Sequence, residues 1–390
     1  MTSPKVCVVT GTRAEYGILR PLMGKLEDSK ELDLQLIVTG MHLSPEFGLT
    51  YKEIEEDGFK IDEKIEVLMS SDTHIGVSKS MGMTLISFSE AYERLQPDMI
   101  VILGDRYETF SAMTAATVAN IPVAHLHGGE ITEGAFDDSF RHSMTKMSYL
   151  HFTSTEEYRK RVIQLGESPQ RVFNVGAMGV ENALNLDLLS KQEVEDKLEI
   201  DLGEEYIVIV FHPVTLENNA AKSQIRELLS ALDENDDLVK MFIKGNSDTE
   251  GRIINQEIDE YVQQNNNSYA FTSLPIEYYL SLIKNSKALV GNSSSGIIEA
   301  PSFKIATINI GDRQKGRVKA ESVIDCSPKK KDIREALGLI NSKEFQTKLK
   351  YIDNPYGKGN ASKKVIKTIE EFLLDKKIDL KKKFYDIELE

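Results

Sequence analysis

Cysteine is nearly missing from this chain, with two in 390 residues. Cys7 sits in the first apolar run and Cys326 is far away in sequence. No disulfide framework or zinc-ligand spacing results, which fits a reducing cytosol. Long apolar runs are absent too. None approaches the ~20 residues that span a bilayer, and Met1–Lys5 leads straight into a strand rather than a signal peptide. Basic excess is lacking: the net charge is −15. That argues against a nucleic-acid or membrane-surface partner, because both need a basic face. A small anionic ligand stays compatible if arginines gather in one place. The glycine signatures of nucleotide folds are missing as well. Gly11-Thr12-Arg13-Ala14-Glu15-Tyr16-Gly17 is neither Gly-x-Gly-x-x-Gly nor a Walker loop. It does offer a strand-to-helix turn with backbone N–H groups beside Arg13, which suits a phosphate.

What is present is ordinary globular composition, 41% hydrophobic and 28% charged, in a chain long enough for two domains. Short apolar runs alternate with helical patterns. In the first half, Val6–Thr10, Leu34–Thr39, Ile61–Val67, Met99–Leu103, Ile121–Ala124, Leu150–Thr153 and Arg171–Val175 read as strands. Thr73–Leu95, Thr109–Asn120 and Thr155–Leu165 read as helices. A polar changeover comes next at Ser190–Glu205, and the rhythm restarts. Strands are predicted at Tyr206–Phe211, Val239–Ile243, Tyr269–Thr272, Ala288–Val290 and Lys304–Ile308. Helices are predicted at Ser223–Leu232, Gly251–Gln264, Ile276–Asn285, Ile297–Ala300 and Lys363–Leu374. The fold class is therefore α/β, with two Rossmann-like halves. The expected division is 1–180, 181–365 and a terminal helix and tail, 366–390, packing back on the first domain. The tail alternates lysines with acids and is expected to be solvated.

Ligands in open α/β sheets lie beyond the carboxyl ends of strands, so the polar groups there are the candidates. Two adjacent strands of the first half end in Gly104-Asp105-Arg106-Tyr107-Glu108 and in His125-Leu126-His127-Gly128-Gly129-Glu130. Asp137, Asp138, Arg141 and His142 come after them. Grouped carboxylates at Asp105, Glu130 and Asp137 would repel one another, raising at least one pKa and splitting acid from base roles. Arg13 and Arg106 could stabilise a departing diphosphate. In the second half, Asn292-Ser293-Ser294-Ser295-Gly296 opens a short helix, with serines expected to cap it and N–H groups facing an anion. Glu299, one turn in, could bind a ribose diol, and Arg313, Lys315 and Arg317 add positive charge. His212 ends a strand before Pro213. Ligation of a metal by His125, His127 and His142 with Glu130 is conceivable, but no metal and no cofactor is expected.

These motifs, with Thr39-Gly40-Met41-His42, Gly311–Arg317 and Asn354-Pro355-Tyr356-Gly357, resemble the hydrolysing UDP-N-acetylglucosamine 2-epimerases of bacterial sialic-acid pathways over nearly the whole chain. The resemblance implies a GT-B architecture, two Rossmann-like domains around a central cleft. It implies a reaction in which UDP-N-acetylglucosamine and water give N-acetylmannosamine and UDP through 2-acetamidoglucal. Carried over by position, it implies catalytic roles for Asp105, His127, Glu130, Asp137 and His212. UDP-binding roles fall to Arg13, Gly17, Arg106, Asn246, Ser293, Ser294, Glu299 and Arg313. One departure is His127, which stands where the human-type enzyme has an acid/base glutamate. A cytoplasmic homo-dimer or tetramer is implied too. Alternatives share these residues: a sister epimerase of legionaminic-type pathways acting on a 2,4-diacetamido-6-deoxy sugar, a UDP-sugar glycosyltransferase, or a non-catalytic UDP-sugar sensor. Sugar specificity at C4 and C6 is expected in the loops Gly40–Leu49 and Ile131–Phe136.

Overall fold

The computed structural model describes residues 3–69, 73–131, 137–213, 220–233, 238–244, 251–272 and 274–388. Their order is β1 (Lys5–Thr10), α1 (Arg13–Glu27), β2 (Asp33–Thr39), α2 (Tyr51–Glu56), β3 (Glu63–Ile65), α3 (His74–Leu95), β4 (Met99–Leu103), α4 (Tyr107–Val118), β5 (Val123–Leu126), α5 (Asp137–Met147), β6 (Leu150–Thr153), α6 (Glu156–Gln164), β7 (Val172–Asn174), α7 (Met178–Asn185) and α8 (Lys191–Leu198). Next come β8 (Tyr206–Val210), α9 (Ala221–Leu232), β9 (Val239–Ile243), α10 (Gly251–Gln264), β10 (Ser268–Phe271), α11 (Ile276–Asn285), β11 (Ala288–Gly291), α12 (Ser295–Ile298), β12 (Ala306–Ile310), β13 (Val323–Cys326), α13 (Lys330–Leu339), α14 (Lys343–Leu349) and α15 (Ala361–Leu374). The described residues form two units. One holds those of Met1–Glu130, Phe136–Asn182 and Tyr356–Glu390, the other Ile131 and those of Ala183–Pro355. No helix among them is long and apolar enough to cross a membrane.

The first unit is a parallel sheet of order β3-β2-β1-β4-β5-β6-β7. Its central strands are apolar at nearly every position because both faces are covered. Val6 and Val8 of β1 and Met99, Val101 and Leu103 of β4 pack with Leu19, Leu22 and Leu26 of α1 and Val365 and Ile369 of α15. The alternate residues, Cys7, Val9, Ile100 and Ile102, pack with Phe88 and Tyr92 of α3 and Ala112 and Ala116 of α4. The period of two along the strand thus feeds two cores. The second unit repeats the plan with order β10-β9-β8-β11-β12-β13, all parallel. Ile207 and Ile209 face one core, and Tyr206, Val208 and Val210 the other. Two Rossmann-like α/β units are therefore present. In each, strand order reverses once at the centre, between β1 and β4 and between β8 and β11. Such switch points are where ligands bind in open α/β sheets.

Some elements differ from expectation. The polar changeover contains α8, nucleated by a capping box in which Ser190 and Glu193 satisfy each other's backbone. α7 occupies a stretch with no predicted element, and so do β13, α13 and α14. α12 begins two residues before the predicted helix and ends at Ile298. The chain returns to the first unit at Tyr356, ahead of residue 366. Tyr356 is fully buried, its hydroxyl meets that of Tyr158 at 3.0 Å, and its carbonyl accepts from Ala177 N at 2.7 Å. The tail is mostly exposed, as its alternating charges predict, but it is pinned to the first unit at Lys377, Asp379, Lys382 and Tyr385.

Candidate active site

The switch point of the first unit gathers ends of β1, β4 and β5. Thr12 caps α1 by accepting from Glu15 N at 3.2 Å, and the buried Glu15 carboxylate turns back to accept from Gly11 N at 2.7 Å. Burial pushes Glu15 up to about 7. Arg106 and the Gly11 amide oppose that shift, and Glu108 and Asp105 add to it. Arg106 stands at the start of α4 and reaches Glu108 at 3.2 and 3.3 Å. Its burial works against its charge, but Glu108 and Glu15 outweigh that and hold it protonated. Asp105 pairs with Arg141 Nη2. The same guanidinium donates through Nη1 to Glu130 O at 2.9 Å and to Asp138 Oδ1 at 3.2 Å. Asp137 opens α5, one turn before Arg141.

His127 and Glu130 lie just beyond β5. Gly129 has φ +79°, and a Cβ there would meet Tyr158 O at 2.6 Å, so only glycine lets the chain turn so tightly against α6. His127 itself has φ +63°, in the left-handed region that a side chain seldom occupies. Its ring is tied at both nitrogens. Met178 N, which can only donate, reaches Nε2 at 3.2 Å, so the ring hydrogen sits on Nδ1, 3.2 Å from Glu130 Oε1. Ser154 donates to that same carboxylate oxygen at 2.8 Å. His125 is a structural tie. Its Nε2–H donates to Gly104 O at 2.7 Å, and burial pushes it down to about 3.

At the second switch point, Gly291 has φ +135°, and a Cβ would stand 2.0 Å from Val210 O. Glycine alone lets the ends of β8 and β11 approach. The buried Asn292 then clamps His212, accepting from its N at 2.7 Å and donating to its O at 2.8 Å. The Asn292 carbonyl accepts from Arg313 Nη1 at 3.0 Å and from Gln314 Nε2 at 2.9 Å. One residue thereby gathers a histidine and an arginine 101 positions apart in sequence. Burial and then the Arg313 charge push His212 down to about 3, leaving a neutral imidazole. Ser293 accepts from Ser295 N at 3.3 Å. The Tyr279 hydroxyl interacts with Ser295 and Ser293. Burial pushes its phenol up to about 12, with the Ser295 bond opposing and the Glu299 carboxylate adding.

Several expectations need correction. Asp105, Glu130 and Asp137 are not a bare cluster of repelling carboxylates: Arg141 neutralises Asp105, and Glu130 is held by Ser154 and His127. Both ring nitrogens of His127 have protein partners, Glu130 and the Met178 amide. Gly17 is buried within α1 and its carbonyl accepts from Asn182 at 2.6 Å. Arg13 is paired with Glu53 of α2 at 2.8 Å. Ser294 precedes α12 in helical conformation and makes no capping bond, so the serine cap reduces to Ser293. Asn246 and residues 132–136 of the expected specificity loop lie outside the described residues. Sequence reasoning assigns no role to Arg141, Ser154, Glu15 or Tyr279. Arg141 is signalled by its place one turn beyond Asp137, and Ser154 by its place at a strand end; Tyr279 sits mid-helix and gives no signal. Among the described residues no group of three His, Cys, Asp or Glu side chains could hold a metal ion.

Residues 24–370 match the family model described as UDP-N-acetylglucosamine 2-epimerase. The chain is 46% identical over 369 residues to a GDP/UDP-N,N'-diacetylbacillosamine 2-epimerase (hydrolyzing) of Campylobacter jejuni, covering 94% of this chain and 95% of the relative. It is 45% identical to polysialic acid biosynthesis protein P7 of Escherichia coli, over 98% of this chain and 97% of that protein. A solved structure of UDP-GlcNAc 2-epimerase from Neisseria meningitidis, bound to UDP-GlcNAc, shares the fold with a TM-score of 0.80. It is 20% identical and covers 94% of this chain and 99% of its own. A family match over residues 24–370 and relatives at 45–46% identity over nearly the whole chain lead to one conclusion: this chain belongs to the UDP-N-acetylglucosamine 2-epimerase family.

Proposed function

We propose that the protein hydrolyses UDP-N-acetylglucosamine with inversion at C2, releasing N-acetylmannosamine and UDP. The observation that carries this reading is the chemical contrast between the two switch points. One holds carboxylates organised by Arg141. The other holds hydroxyls, a neutral histidine and Arg313 around Asn292. In this reading the second set binds the diphosphate and ribose. Arg313 and the Ser293–Tyr279 hydroxyls meet the phosphates, and Glu299 meets the diol. The first set moves protons. The C2 hydrogen of the sugar is a very weak acid, so its removal needs a placed base and a leaving group whose charge is held. A carboxylate, Asp105 or Asp137, takes the C2 proton while the C1–O bond breaks and UDP leaves with the electron pair. Water then adds across the 2-acetamidoglucal, hydroxyl to C1 and proton to C2 from the opposite face.

Turnover in deuterated water tests this directly. The released sugar should carry deuterium at C2, and Asp105→Asn should lose about a hundredfold or more in kcat, the scale of an acid/base group, while binding UDP normally. Retention of the original hydrogen at C2 would exclude elimination. A second reading draws on the 46% identity to the diacetylbacillosamine enzyme: the sugar would carry an acetamido group at C4 and a methyl at C6. Comparing kcat/KM for the two UDP-sugars decides between them.

A further inference from the structure

The pinned tail meets the helix that carries Asp137 and Arg141. Tyr149 donates to Lys377 O and accepts from Asp379 N, both at 3.1 Å. The Phe384 ring lies on Gly166, where a Cβ would meet ring carbons at 2.3 Å, and Tyr385 N donates to Gly166 O at 2.9 Å. Between these points Lys382 turns inward. Its ammonium donates to Lys146 O at 2.8 Å, Ser148 O at 2.6 Å and Glu167 at 2.9 and 3.0 Å. Lys146 and Ser148 flank Met147, the last residue of α5. A cation on the final carbonyls of a helix satisfies acceptors that no intrahelical N–H reaches, and it faces the negative end of the dipole. Glu167 is fully buried and already bonded by Lys146 at 2.6 Å and His151 at 3.1 Å. Its charge is therefore met without Lys382. The geometry distinctive to Lys382 is its grip on the carbonyls of α5.

We propose that Lys382 is a positioning residue: the tail clamps the last turn of α5 and so sets where the first turns of that helix hold Asp137, Asp138 and Arg141. The consequence for turnover rests on the proton-transfer role assigned above to this end of the unit. α5 is also tied by Arg141 to Asp105 and to Glu130 O, by Thr145 to His125 at 3.4 Å, by Lys146 to Glu167 at 2.6 Å and by the stacking of Phe140 on Phe110. With those ties kept, releasing the Lys382 tie lets the last turn of the helix shift rather than melt.

The test compares Lys382→Met, which keeps the length of the stem and removes the ammonium, with Lys382→Arg. Well below the melting transition, Lys382→Met should lose about tenfold in kcat, less than the hundredfold that about 1 Å of misplacement can cost. KM should stay within about twofold, and UDP affinity should not change. Amide exchange of α5 should quicken. Lys382→Arg, whose fork can reach the same carbonyls, should recover most of the lost rate. A lowered melting temperature with wild-type kcat would reduce the tail to a stability anchor and overturn the proposal. If Lys382→Met does not fold, Phe384→Ala loosens the tail while keeping the Lys382 ammonium. It should show a smaller kcat loss, and an unchanged kcat would overturn the proposal. The exchange readout needs no substrate. If the wild type turns over neither UDP-sugar, faster α5 exchange in Lys382→Met still supports the clamp, and unchanged exchange refutes it.

Discussion

Glu15→Gln should make the protein more stable at mildly alkaline pH and change little in acid. The Glu15 carboxyl is buried, and burial is the largest of the influences that raise it from 4.5 to about 7. An acid raised on folding binds its proton more tightly in the native than in the unfolded state. Native stability therefore falls as pH rises from about 4.5 to about 7 and is flat on either side. At 1.36 kcal/mol per unit, the ionised carboxylate costs about 3 kcal/mol above pH 7. Glutamine is the neutral isostere, and its carbonyl can still accept from Gly11 N. For a unit of this size, 1 kcal/mol moves the melting temperature by about 2–4 °C. The variant should thus melt about 6–12 °C above wild type at pH 8 and near it at pH 4. Urea unfolding and thermal melts at both pH values would measure this. A variant less stable than wild type at pH 8, or one with the same pH dependence, would show that Arg106 rather than burial governs this carboxyl.

Arg141→Met removes a guanidinium whose side chain is only 5% exposed, and with it the partner of Asp105 and Asp138. Those carboxylates keep some contact with water, so the stability loss should be about 2–3 kcal/mol, read by denaturant titration. The kcat loss should be at least about a hundredfold, with UDP binding intact. His127→Ala loses two hydrogen bonds and should cost about 2 kcal/mol. If the ring acts by holding Glu130, kcat should fall while the pH–rate profile keeps both limbs; loss of a limb would make His127 an acid or base.

How far the fold and the site can be read ahead of the structure depends on where each signal resides. Met99–Leu103, Val239–Ile243 and Gly251–Gln264 are legible to the residue. A strand buried on both faces must be largely apolar, and an amphipathic helix must repeat its apolar residues every turn. α8 fails that test because only Val194 of its eight residues is buried. Ser190 and Glu193 start it through backbone bonds that a hydrophobic pattern does not register. β13, at the sheet edge with no fully buried residue, fails for a related reason. The switch-point rule points to Asp105, His127, Glu130, His212 and Ser293, since it asks only which residues stand beyond the end of each strand. It cannot say what those groups touch. Asp105 finds Arg141 36 residues on, and Glu130 finds Ser154 24 residues on. These pairings give Asp105 a counter-charge and Glu130 a hydroxyl donor that the strand-end pattern does not announce. Lys382 shows the same limit at greater range. In a run of alternating charges it reads as solvated. Its partners are two main-chain carbonyls, which have no sequence signature, and Glu167, 215 residues away and buried. Glu167 is buried and paired with Lys146 and His151 as well as with Lys382, and no local pattern in a Gly-Glu-Ser turn announces that burial.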